Sequence, residues 1–212
     1  MSKSLGNVID PLHVIEGITL DGLHATLAAG NLDAKEVARA KAGQATDFPE
    51  GIEECGTDAL RFALCAYTTQ ARDINLDIKR VVAYRHWCNK LYNAIRYASM
   101  NLPEDYVPPT DAAAREAGFV AGLPAPSRWL LSKLSVAAGT VVKAMEAYDF
   151  ATATQKLYSF WQYELCDVYI ELMKPVMALG DDVPEQAAAK RGTRDALWLA
   201  LDAGLRLLHP FM

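Results

Sequence analysis

The longest uninterrupted helical pattern in the chain runs from Asp77 to Leu102, DIKRVVAYRHWCNKLYNAIRYASMNL, with neither proline nor glycine inside it. Asp77 is a favourable N-cap, and Pro103 forbids continuation. At about 100° per residue the stretch has two faces. Val81, the stem of Arg85, Cys88, Tyr92, Ile95, Ser99 and Leu102 share the side expected to pack on a core. Lys79, His86, Lys90, Asn93 and Tyr97 share the other, within roughly 40° of one line, and Arg80 and Arg96 flank them.

The same period predicts further helices. Ser127 is expected to cap one that reaches Tyr148, with Leu130, Leu134, Ala137, Val141 and Met145 inward. Asp149 caps the next, whose Phe150, Ala153, Leu157, Phe160, Glu164, Val168 and Leu172 fall on one side until Lys174-Pro175 ends it. Trp161 and Tyr169 widen that apolar stripe, and aromatic stripes of this kind are core. A last helix, Glu185 to Leu208, turns Leu197, Leu201, Leu205 and Leu208 inward. Before the long helix, short helical pieces are expected at Leu12–Glu16, Asp21–Ala28 and Asp33–Ala42, the last with Glu36 completing a capping box. Thr57 to Tyr67 forms a capped helix burying Leu60, Ala63, Leu64 and Tyr67, and DINLD reads as a short extended piece. Residues 103 to 126 carry five of the ten prolines and read as a linker across the outside of the bundle. The expected fold is mainly α: a helical bundle over 77–212, preceded by a small mixed connector over 1–56 and a linking helix with an extended piece over 57–76.

Composition narrows the partners. A chain of 212 residues, 51% apolar and 22% charged, is an ordinary globular one, and its net charge of −5 argues against general affinity for nucleic acid. Any RNA contact must come from a local patch. The long helix supplies one, with five Lys or Arg and no acidic residue from Ile78 to Pro103. Lys and Arg meet phosphates, Asn reads base edges and Tyr stacks on bases, which is what single-stranded RNA requires. A plain solvated basic face is the competing explanation, and a helical scaffold for a protein partner is another. Cys55, Cys65, Cys88 and Cys166 form no CxxC pair and no metal-ligand spacing with the four histidines, so free thiols in a reducing compartment and no metal are expected. No apolar run approaches a membrane span and no signal peptide is evident, so the chain reads as intracellular, cytoplasmic and without a membrane partner.

The first residues add chemistry. Ser2, Lys3, Ser4 and Gly6 make a cationic loop, weak as a signal when taken alone. The full run MSKSLGN followed by VIDP resembles the second signature motif of class I aminoacyl-tRNA synthetases. The runs GITLDGLHATLAAGNLD, AKAGQATDFPEGI and ECGTDALRFALCAYTTQARDINLDI resemble the valyl-tRNA synthetase family within that class.

This resemblance implies an ATP-dependent ligase that activates valine with ATP and Mg²⁺ and passes it to tRNA(Val), the chain being a piece of a longer protein from the signature loop through most of the anticodon-binding domain. Lys3 then stands by the ATP phosphates as the catalytic cation, with Ser2 and Ser4 as further ATP contacts. Residues 1–56 become the loop and the connector that meets the tRNA stem. Residues 77–212 become the anticodon-binding bundle, where Lys79, Lys90, Asn93, Arg96 and Tyr97 take the positions that approach the anticodon. The 212 residues do not carry the first ATP signature, so the piece alone is expected to bind no cofactor and to catalyse nothing. A freestanding RNA-binding module, or the matching piece of an isoleucine, leucine or methionine enzyme, is the alternative.

Overall fold

Side-chain caps start the first helices of the chain. The computed structural model describes residues 8–68 and 76–212. In helix α1, Pro11–Ile15, Asp10 Oδ1 accepts from the Leu12 N–H at 2.9 Å, and proline occupies the first turn. Helix α2, Leu20–Ala28, begins one residue earlier than its sequence pattern suggests, because Thr19 Oγ1 accepts from Gly22 N–H. Asp33 caps α3, Ala34–Asp47, by accepting from both Lys35 and Glu36 N–H, and this helix runs past the expected end at Ala42. Helix α4 is Gly56–Ala66.

The described residues form two compact units. The first comprises residues 8–64 and 76–86. Its mixed character amounts to one antiparallel bridge, Ile18 N–H to Ile52 O at 2.9 Å and Ile52 N–H to Ile18 O at 2.8 Å. Gly17 and Gly51 flank it at positive φ, and a β-carbon on either would press into the backbone of the opposite segment. Val14, Leu23, Ile52, Leu60, Phe62 and Ala63 supply the core here. Phe62 meets Tyr84 edge-on at 5.0 Å between ring centres. Leu64, expected inside, is exposed; the buried face of α4 centres on Ala59, Phe62 and Ala63 instead.

The second unit comprises residues 65–68 and Trp87–Met212. The long helix α5, Ile78–Asn101, buries Ile78 and Val81 in its first part and Trp87, Leu91, Ala94 and Ala98 in the rest. On a helical projection these two sets lie on different faces. A single stripe drawn over the whole helix averages them, which is why Tyr92, Arg85 and Ser99, expected inside, are exposed. Short helices α6, Asp111–Ala114, and α7, Ala117–Gly122, occupy the proline-rich linker. Tyr106 pins that linker to the bundle by donating to Asp195 Oδ1 at 2.8 Å, while the Arg191 guanidinium covers the Tyr106 ring at 4.8 Å and ion-pairs with Asp195.

Helix α8, Ala125–Glu146, packs on α9, Phe150–Ser159, on a π-helical segment, Phe160–Tyr169, and on α11, Pro184–Leu208; α10, Ile170–Met177, also packs on α11. Ser127 is no cap. It lies buried in the first turn of α8, its hydroxyl 3.0 Å from the Tyr169 hydroxyl, which donates on to the Thr193 carbonyl. Asp149 does cap α9. Pro175 fails to end the rod at once; α10 continues through it to Met177. Leu205 points to solvent whereas Leu197, Leu201 and Leu208 are buried as expected.

The π segment accounts for the largest departure from the expected pattern. Phe160 is buried as expected, and so are Trp161 and Tyr169, which widen its stripe; but where an α-helical period from Phe160 selects Glu164, Val168 and Leu172, the buried positions are Leu165, Tyr169 and Met173, one residue later each time. Hydrogen bonding from i to i+5 inserts extra chain into the turn and slips the buried register accordingly.

Candidate RNA-binding face

From Trp87 onward, the stripe of α5 runs alongside its buried face rather than opposite to it. Trp87, Leu91, Ala94 and Ala98 face the core; Lys90 and Tyr97 stand half-buried at its margin, and Asn93 and Arg96 stand in solvent. Among the described residues the side chains of Asn93 and Arg96 make no hydrogen bond or ion pair, so an amide and a guanidinium are free to meet a ligand. Lys79, one of the predicted contacts, is exposed in the first unit. Ser2, Lys3 and Ser4 lie outside the described residues.

Lys90 is engaged. Its ammonium meets Asp167 Oδ1 at 2.7 Å, with the two side chains 39% and 44% exposed. The Gln162 amide donates to Asp167 Oδ2 at 3.0 Å, so both carboxylate oxygens have a donor. The hydrogen bond from Lys90, helped by that from Gln162 and by the lysine charge, holds the Asp167 carboxyl below its usual range. Beside it, burial pushes the Cys166 thiol up to about 11. Trp87 stacks with Tyr158 at 5.2 Å and a 36° tilt, and Tyr158 meets Tyr163 edge-on at 6.0 Å. Tyr163 is 56% exposed and ends this aromatic series at the surface.

Gln162, Tyr163 and Asp167 escape a reading of the sequence. An α-helix places residues 162 and 167 about 140° apart, so nothing in an α-helical projection brings them together. The π geometry does. Among the described residues no group of His, Cys, Asp or Glu could hold a metal ion, and no helix is long and apolar enough to cross a membrane.

Residues 1–77 match the family model for class I tRNA synthetases of the I, L, M and V group, and residues 127–212 match that for the anticodon-binding domain of tRNA ligases. With the helical bundle of the second unit, these matches make the chain similar to class I tRNA synthetases. Along its full length the chain is 54% identical to the mitochondrial valine–tRNA ligase 1 of Arabidopsis thaliana, and 53% identical to the valine–tRNA ligases of Rattus norvegicus and Homo sapiens. It is a homologue of the valine–tRNA ligases. All of the chain is covered in these three comparisons, but only 18%, 16% and 16% of the respective relatives, so it spans less than a fifth of their length.

Proposed function

We propose that this chain is the part of a valine–tRNA ligase that holds the anticodon arm of tRNA(Val), through the solvent edge of α5. Lys90 and Arg96 take phosphates, Asn93 reads a base edge and Tyr97 supports a stacked base, with Lys79 as a further cation. The observation that carries this reading is the exposed, unengaged pair Asn93 and Arg96, one turn apart on the helix that also carries half-buried Tyr97, in a chain similar to valine–tRNA ligases. Residues 77–212 then form the anticodon-binding bundle, 1–56 the signature loop and stem-contact connector, and 57–76 the link between them.

The whole enzyme joins valine to tRNA(Val) using ATP and Mg²⁺, in the cytoplasm. Ser2, Lys3 and Ser4, in the signature run MSKSLGN, are the residues proposed to meet the ATP phosphates. The binding assignment is tested by fluorescence anisotropy with the anticodon stem-loop of a valine tRNA. Arg96→Ala and Tyr97→Ala should each weaken binding by about 1–3 kcal/mol. An unrelated hairpin of equal length, bound as tightly as the valine stem-loop, would reduce the contact to phosphate attraction and sink the assignment.

A further inference from the structure

The proposed contacts leave the Asp167 carboxylate unexplained. A face that attracts RNA gains nothing from an anion 2.7 Å from one of its cations, yet this anion is built in with care. Gln162 and Asp167 bond at a separation of five residues, which an α-helix cannot achieve and the i to i+5 pattern of the Phe160–Tyr169 segment can. Single turns of π-helix recur at functional sites, and here the segment brings Gln162 beneath Asp167 and Asp167 onto Lys90. The Lys90 ammonium is thereby held at the edge of the face in a neutralised pair.

We infer that Asp167 is a specificity-determining residue of the RNA face: it masks Lys90 from bare phosphate, so that only an RNA contributing base contacts as well opens the pair. This rests on the anticodon reading above. The energetics suit the role. An ion pair with both partners about two-fifths exposed is worth little, so a ligand supplying further contacts opens it readily. An RNA offering phosphates alone must instead compete with a carboxylate already in place. The solvent edge of α5 carries unmasked means of recognition in Asn93 and Arg96, together with the half-buried ring of Tyr97. The overall charge of −5 works in the same direction, keeping non-specific RNA away.

The test compares wild type, Asp167→Asn and Asp167→Glu in the full 212-residue chain, with folding checked by circular dichroism. Two probes are titrated over a range of salt: the valine anticodon stem-loop and an unrelated hairpin of equal length. The asparagine variant should bind the unrelated hairpin roughly three- to tenfold more tightly, with a salt dependence steeper by about one phosphate contact, a slope change near 0.7. The valine stem-loop should gain less, so that the ratio between the two probes shrinks. The glutamate variant, which keeps the charge, should restore much of the ratio. An unchanged ratio in Asp167→Asn, whether both affinities move together or neither moves, overturns the inference while leaving the anticodon reading intact. A wild-type chain with no preference between the probes sinks that reading and this inference with it.

Discussion

At the scale of single residues, exposure was legible where a helical projection sufficed. Asn93 and Arg96 stand in solvent because the residues that pack, Leu91, Ala94 and Ala98, take the neighbouring side of the helix. What the projection could not supply was the company each residue keeps. Lys90 looks like one more free cation in the sequence and is in fact paired across 77 positions with Asp167. Because the folded carboxyl of Asp167 titrates below the unfolded value, its pair contributes above the ordinary carboxylate range near 3.9 and is lost only as pH falls through the lowered value. The adjacent Cys166 behaves in the opposite sense. Its folded pKa of about 11 lies above that of a free thiol near 8.5, so burial favours the protonated form, and the stability linked to it declines as pH rises between those values. The thiolate is the reactive species. At pH 8, iodoacetamide should therefore label Cys166 in the folded chain more than about tenfold slower than in the urea-unfolded chain, as read by peptide mass spectrometry. Equal rates would show that the thiol is neither buried nor shifted.

At the scale of elements, the helices that local chemistry specifies were readable and those that packing specifies were not. The Asp33 and Asp149 caps are where the sequence places them, because a capping carboxylate needs only the next few N–H groups. Ser127 has the same chemistry but is drawn into the core by Tyr169, forty-two residues away, and no local rule anticipates that. The π segment is the same lesson on a larger scale: its slipped register is imposed by what it packs against. Trp161 is buried in that register with its ring against Gly204 of α11, where an added β-carbon would sit 2.9 Å from Trp161 Cζ2. A rigid, fully buried indole has little room to give. Gly204→Ala should therefore destabilise the second unit by about 1–3 kcal/mol, seen as a lower urea midpoint in tryptophan fluorescence. The same substitution at Gly139, in α8 with open space around it, should stabilise by roughly 0.5–1 kcal/mol through helix propensity. Stabilisation of both variants would mean that helix propensity, and not the Trp161 contact, governs both sites.

At the scale of the whole molecule, the sequence disclosed the class of fold more fully than any single site. Periodicity located the main helices, but α3 runs past its expected end and α6 and α7 lie in the stretch read as a linker. Helix α5 contributes to both compact units, and a helix that serves two cores shows no single apolar stripe in its sequence. Function divides along similar lines. The proposed RNA face would depend on side chains that α5 and the π segment set in place within the second unit, whereas ATP-dependent valine activation requires a phosphate site with charges on more than one side of the nucleotide. Within these 212 residues the signature run offers one such cation, Lys3, and the first ATP signature is not among them. Transition-state stabilisation of phosphoryl chemistry is lost almost entirely when one side of such a clamp is missing, since positioning and charge neutralisation are nearly all the protein contributes. The purified chain should therefore bind the valine anticodon stem-loop yet give no valine-dependent exchange of labelled pyrophosphate into ATP, even at high protein concentration. Exchange above the level of a Lys3→Ala control would mean that a complete phosphate site forms within this chain, so that activation and anticodon binding are not divided in this way.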